Sequence, residues 1–466
     1  MRTRWRAGRG VRLVGAVTAL LVTAAALAGC EADSGAIPTP DESDGVPVNR
    51  TLTFAVFGHE EERAAYQSLV AVFNSLYDGA EFELESYGSR EALMGTIRES
   101  GEVPDVFLTS GQDLAWLSQE QLLEPVDSLL LERGIDFGDV YSRDSVLAFS
   151  SEDRLLCMPV GISPMVLFYN TELVDFEKMA LRELPVPTGE LNAWDFEEFV
   201  VAAEFASRPR RGTRAIHVQP SIEGLAPFIY GGGGDVYNDP VTPTSLAFSS
   251  DGSRSALEQV LTVLRDPRLT LSDVELQRRS ALEWFKRGKL AMIPGYRDLV
   301  PQLREVAGLQ FDVIGMPAIE RNATVGNITG MCVSAASGNA TAAADFLVHM
   351  ASSVSVRRVA SEGYLVPANL EVALSPDFLQ PGRAPDHALA FVNAIRTIVL
   401  PPLIDDEAQL ELVVADSLEE MLTAPILTDL EELTSRIDQE SRTVLDPEGL
   451  AEEEAEREAE EESESP

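Results

Sequence analysis

Recognition of a polar solute needs flat aromatic faces to cover its apolar side, plus a few well-placed hydrogen-bonding groups. In this chain the residues of those types fall in a handful of places. Tyr296, between Gly295 and Arg297, offers a ring and a hydroxyl to a ligand or else fills an interior. Asn327 lies in Gly326-Asn-Ile-Thr-Gly330, where its amide reaches a ligand or caps a turn. Tyr230 and Tyr237 bracket the run Gly231 to Gly234. No Lys-Ser/Thr follows those glycines, so they read as a backbone turn beside a cleft, or as a plain surface loop. Tyr364 follows Gly363. His59, Arg90, Arg297 and Ser110 are the set that would surround an acidic ligand; Asp113, Asp235 and Asp298 are the set that would face an amine. Trp116, Trp194 and Trp284 stand on helical faces or at a helix start and are expected in the interior, which leaves few rings for a large sugar.

Signatures of catalysis are missing. The chain has no His-Glu-x-x-His, no Gly-x-Ser-x-Gly and no Cys-x-x-Cys, and its four histidines, His59, His217, His349 and His387, are scattered. No metal and no cofactor is expected. The formal charge of −40, from 36 Lys plus Arg against 76 Asp plus Glu, repels phosphate backbones and excludes nucleic acid as a partner.

The two ends are special. Arg2, Arg4, Arg6, Arg9 and Arg12 precede an apolar run from Leu13 to Leu27, which is shorter than the roughly 20 residues of a membrane span and ends in small residues. Leu27-Ala-Gly-Cys30 resembles the lipobox of bacterial lipoproteins. That resemblance implies cleavage after residue 29, acylation of Cys30 and attachment to the outer face of the cell membrane. Residues 30–49, rich in Pro, Gly, Ser and Asp, read as a disordered tether. Residues 446–466 read as an acidic disordered tail of solvated, frayed helix or coil; from 451 onward they carry nine Glu and one Arg.

Between these ends the periodicity predicts an α/β body. Thr51 to Phe57 is apolar on both faces like a central strand, and Gly58 ends it. Tyr66, Leu69, Val70, Phe73 and Leu76 follow at helical spacing, and Phe82 and Leu84 then alternate with glutamates. A second helix from Glu91 to Ser100 and a strand from Pro104 to Thr109 complete a strand, helix, strand, helix, strand order. Such an order implies a parallel sheet that binds ligands at the carboxyl ends of its strands. Those ends carry Phe57 and His59, Tyr87, and Ser110 and Gly111.

Several segments, in order, resemble the family 1 extracellular solute-binding proteins of ABC importers. They are Pro104-Asp-Val-Phe with Leu114-Ala-Trp-Leu, Met158-Pro-Val-Gly161 with Leu167-Phe-Tyr-Asn170, Trp194-Asp-Phe-Glu-Glu-Phe199, Phe285 to Tyr296 with its Gly-Lys-x-Ala-Met core, and Gly363 to Ala368. The resemblance implies a two-lobe periplasmic-binding-protein-like fold of type II, with three hinge crossovers and a cleft between the lobes. One lobe would take residues 50–157 and 318–362, the other 158–317 and 363–445. It also implies an aromatic at Tyr296 stacking on a sugar ring, a ligand-reaching loop at Asn327, and Tyr364 beside the third crossover. In that topology Cys332 returns beside Cys157, as a disulfide or as two separate buried thiols. The expectation is a monomeric receptor that captures a small solute, carbohydrate first, and delivers it to a membrane permease. A lipid-anchored cleft hydrolase and a sensor lipoprotein without transport are the alternatives.

Overall fold

The computed structural model describes residues 51–135, 140–151, 154–187, 194–404, 406–427 and 429–464. The leader, Cys30 and the tether lie outside the described residues.

Among the described residues, ten strands build the two main sheets, and Ser150–Ser151 pairs with Arg154–Leu155 in a small third one. The first contains β1 (Thr51–Phe57), β2 (Glu81–Tyr87), β3 (Val106–Ser110), β4 (Leu123–Glu124), β5 (Cys157–Pro164) and β10 (Gly326–Ser334), in the order β2-β1-β3-β10-β4 with β5 also paired to β10. The second contains β6 (Val166–Asn170), β7 (Arg214–Ile216), β8 (Leu290–Gly295) and β9 (Phe311–Ile314), in the order β9-β6-β8-β7. As the apolar pattern predicts, β1 is central and runs parallel to both β2 and β3. The alternating glutamates of β2 mark the sheet's edge, where charge discourages pairing with another chain.

The chain leaves the first sheet at Met165, a few residues beyond the 157–158 boundary expected from the sequence. The reason is that β5 pairs with β10 along its whole length, from Cys157 opposite Cys332 to Pro164 opposite Gly326. It returns between Ile314 and Gly326. Two apolar clusters result. One surrounds the first sheet and one face of the second, through Phe54, Phe82, Phe346 and Phe168; the other covers the opposite face of the second sheet, through Leu167, Phe199, Phe228 and Leu257. The last long helices, Glu407–Thr423 and Leu430–Leu445, join the latter through Leu410, Val414, Leu418 and Ile437.

Cys157 and Cys332 are disulfide-bonded across β5 and β10, with Cα atoms 4.3 Å apart, so the reading as two free thiols does not hold. Within the acidic tail Pro447–Glu464 is helical, one of the two forms expected of it, begun by Pro447 at a first-turn position that a proline tolerates and tied back where Arg442 meets Asp446 and Glu453 at 2.9 and 2.8 Å.

Candidate functional site

A cavity of about 330 Å3 opens where the strand ends of the first sheet face the second lobe. Ser110, Gly111 and Gln112 come to it from the end of β3, Asn327 from the start of β10, and Leu400 to Leu403 from the segment before the helix Glu407–Thr423. Val241 closes it from the other lobe. Gln112, Asn327 and Pro401 are shared with a smaller recess that continues toward Tyr230, Tyr237, Tyr296, Glu223, Glu407 and Glu411.

Local rules place these groups. The Ser110 hydroxyl accepts from the Gln112 N–H at 3.3 Å and starts a short 3-10 turn, which aims Gln112 across the strand end. Ser221 caps the helix Ile222–Gly231 by accepting from Gly224 N–H at 3.0 Å. That helix also receives the Glu411 carboxylate, which accepts from the N–H groups of Ile222 and Glu223 at 3.1 and 3.2 Å. Asp406 caps the helix Glu407–Thr423, which puts Glu407 in its first turn and Glu411 one turn on, both facing the recess. The Tyr296 hydroxyl donates to Glu223. Tyr237 is only 7% exposed, and among the described residues its hydroxyl has no hydrogen-bond partner.

The electrostatics of the recess are one-sided. Burial pushes the Glu407 carboxyl up to about 7; Arg90 pulls against that, while Glu223, Glu411 and Asp113 add to it. Burial also raises Glu411, against the pull of the two N–H groups it accepts from. Asp113, 5% exposed, is raised by burial although Arg90 stands 3.4 Å and Arg98 3.9 Å from it.

Of the ten ligand residues expected from the sequence, the structure brings together Ser110, Gly111, Asn327, Tyr230 and Tyr296. The other five lie elsewhere. Phe57 packs half-buried against the first core, and Gly295 ends β8 with Leu299 pressed where a Cβ would stand. His59 and Tyr364 stack on each other at 4.3 Å, the Tyr364 hydroxyl donating to Glu61 at 2.9 Å, and neither lines the cavity or its recess. Arg297 is fully buried. It donates to the carbonyls of Gly363 and Phe378, both at 3.1 Å, and lies over the Phe378 and Phe391 rings, so its guanidinium ties the segments at 363 and 378 to the end of β8. The set proposed for an acidic ligand is therefore not assembled, because Arg297 faces the interior and Arg90 is engaged by Asp113 and Glu91.

The glycine run is packing, not a phosphate loop. A Cβ on Gly234 would stand 2.5 Å from Ser253 N, and one on Gly232 would stand 2.4 Å from the Ala256 Cβ, so the run lets two helices meet closely. Trp194 is buried as expected, while Trp116 and Trp284 are half-buried beneath Arg98 and Arg279. Gln112, Glu223, Glu407, Glu411 and the Leu400 to Leu403 segment were missed in the sequence. The only available signal was the i, i+4 pair of glutamates at the start of an otherwise amphipathic helix.

The model of the family described as bacterial extracellular solute-binding protein matches residues 68–385. The chain belongs to this family. Solved structures agree on the fold. An ABC substrate-binding protein from Listeria monocytogenes in complex with cycloalternan is 18% identical, with a TM-score of 0.69 over 85% of this chain and 98% of that one. The sugar-binding protein MalE of Xanthomonas citri is 15% identical, with a TM-score of 0.70 over 87% and 99%. The GacH receptor of Streptomyces glaucescens, studied unliganded and with acarbose, is 20% identical, with a TM-score of 0.67 over 85% and 98%. This family member therefore has the two-lobe α/β fold of an extracytoplasmic solute-binding protein.

Proposed function

We propose that this family member is the receptor of an ABC importer, anchored through lipid on Cys30, that captures a carbohydrate between its lobes and presents it to a membrane permease as a monomer. One observation carries the reading: the cavity at the strand ends of the first sheet is finished by elements of the other lobe and by the Leu400 to Leu403 segment, so closure of the lobes would wrap a solute. Half-buried Tyr296 offers a ring beside Asn327 and Gln112, an apolar face with polar neighbours, as a sugar requires. The sugars held by the structural relatives support carbohydrate as the solute class. Membership in a family of solute-binding proteins supports binding rather than turnover.

Thermal-shift screening against mono- and oligosaccharides tests the proposal, because a ligand that binds only the folded state raises apparent stability by mass action. Tyr296→Ala should abolish the shift while the circular dichroism spectrum stays native. A full response in that variant removes Tyr296 from the site, and no response to any sugar in the wild type removes carbohydrate.

A further inference from the structure

The recess beside Tyr296 carries a charge that a neutral sugar would leave uncompensated. Glu223, Glu407, Glu411 and Asp113 act on it, while Arg90 and Arg98, both held by Asp113, are the cations beside them. The excess is therefore negative. Glu411 is partly neutralised by the helix N-terminus it caps, and Glu223 accepts from Tyr296. Glu407 differs. Among the described residues its carboxylate has no hydrogen-bond donor and no ion-pair partner, yet it lies half-buried in the wall. Tyr237, itself 7% exposed, lines the same recess, and among the described residues its hydroxyl likewise has no partner. Both groups still reach solvent at the recess, so an ammonium from a bound solute can replace that water with charge-assisted hydrogen bonds.

We propose that the solute is an amino sugar whose ammonium is received by Glu407 and the Tyr237 hydroxyl. This rests on the carbohydrate-receptor reading and specifies its substrate class. An ammonium has three donors and no acceptor, so it can serve a carboxylate and a phenol oxygen together. An acetylated nitrogen brings a single donor, no charge and added bulk. The ring of the sugar lies against Tyr296, as in the reading above. The net charge of −40 draws cations toward the cleft and favours the same class of solute.

The test is isothermal titration calorimetry on the full chain in detergent at pH 7.5. The probes are the free-amine glucosamine dimer and 6-amino-6-deoxymaltose, each against its N-acetylated form, with spermidine as a sugarless amine. We expect at least one free amine to bind tenfold or more tightly than its acetylated form. That ratio should fall to below threefold in Glu407→Gln, and Tyr237→Phe should reduce it less. Equal or tighter binding of the acetylated forms overturns the amino-sugar proposal and leaves the carbohydrate receptor standing. Binding of spermidine with no response to any sugar overturns both. Silence of the whole panel overturns the amino sugar. The wild-type comparison decides even should a variant fail to fold.

Discussion

Replacing Cys157 and Cys332 together by alanine opens a loop of 175 residues in the unfolded chain while leaving β5 and β10 paired in the folded one. Chain-entropy reasoning for a loop of that length gives about 5 kcal/mol at 25 °C, whereas native disulfides more often deliver about 2–4 kcal/mol because the unfolded state keeps residual structure. The loss belongs mainly to the unfolded state, because the two cysteines already face each other in register and both are fully buried. Alanine is the better probe, since serine would bury two hydroxyls in an apolar wall. Urea unfolding of the double variant should show apparent stability lower by about 2–5 kcal/mol and a steeper denaturant dependence, since the uncrosslinked chain exposes more surface. Reducing the wild type under the same conditions should reproduce both changes. A loss below about 1 kcal/mol with an unchanged slope would refute the argument, because the bond would then constrain nothing that the strand pairing does not constrain already.

Three further outcomes follow from single positions. Gly161→Ala should cost about 1–3 kcal/mol in the same assay, because its Cβ would stand 2.0 Å from Leu365 Cδ1 while Ile162 N–H to Val366 O, at 2.9 Å, holds the backbones together. Arg297→Lys should cost about 2–4 kcal/mol by leaving buried carbonyls without donors and should move ligand affinity less than threefold; a folded variant that fails to bind would return Arg297 to the site. Burial pushes the Glu62 and Glu407 carboxyls up to about 7, so each contributes stability that is lost as pH rises from about 4.5 to 7, while buried His217, pushed down to about 4, contributes the opposite trend up to about pH 6.5. Relative to the wild type, Glu62→Gln and Glu407→Gln should therefore each gain stability as pH rises from 5 to 8 in thermal melts. A relative loss over that range would show that the carboxylate is better stabilised when charged.

The first sheet was legible in the sequence because its local signals agree. The doubly apolar β1, the glutamate-alternating β2 and the helices between them each state their period without help from the rest of the chain. The site was half legible. Ser110, Gly111 and Asn327 stand at strand ends, where an α/β sheet places its ligands by topology alone. Arg297 was misread because nothing local shows that its charge would be answered by carbonyls of Gly363 and Phe378, far along the chain. Glu407 and Glu411 were passed over for the matching reason: on an acidic chain a helix-start glutamate is ordinary until another element covers it. Covering is what changes its chemistry. Glu407 reaches about 7 because its helix, docked against Ile222–Gly231, buries it beside Glu223, Glu411 and Asp113, with Arg90 pulling the other way, and no segment of sequence contains that meeting. The group that chooses the ligand's charge is thus the one made by assembly. Its pH response and its preference for an amine must therefore move together: affinity for a free-amine sugar should rise through pH 7 over the same range in which Glu407 withdraws its contribution to the stability of the empty protein, and Glu407→Gln should remove both trends.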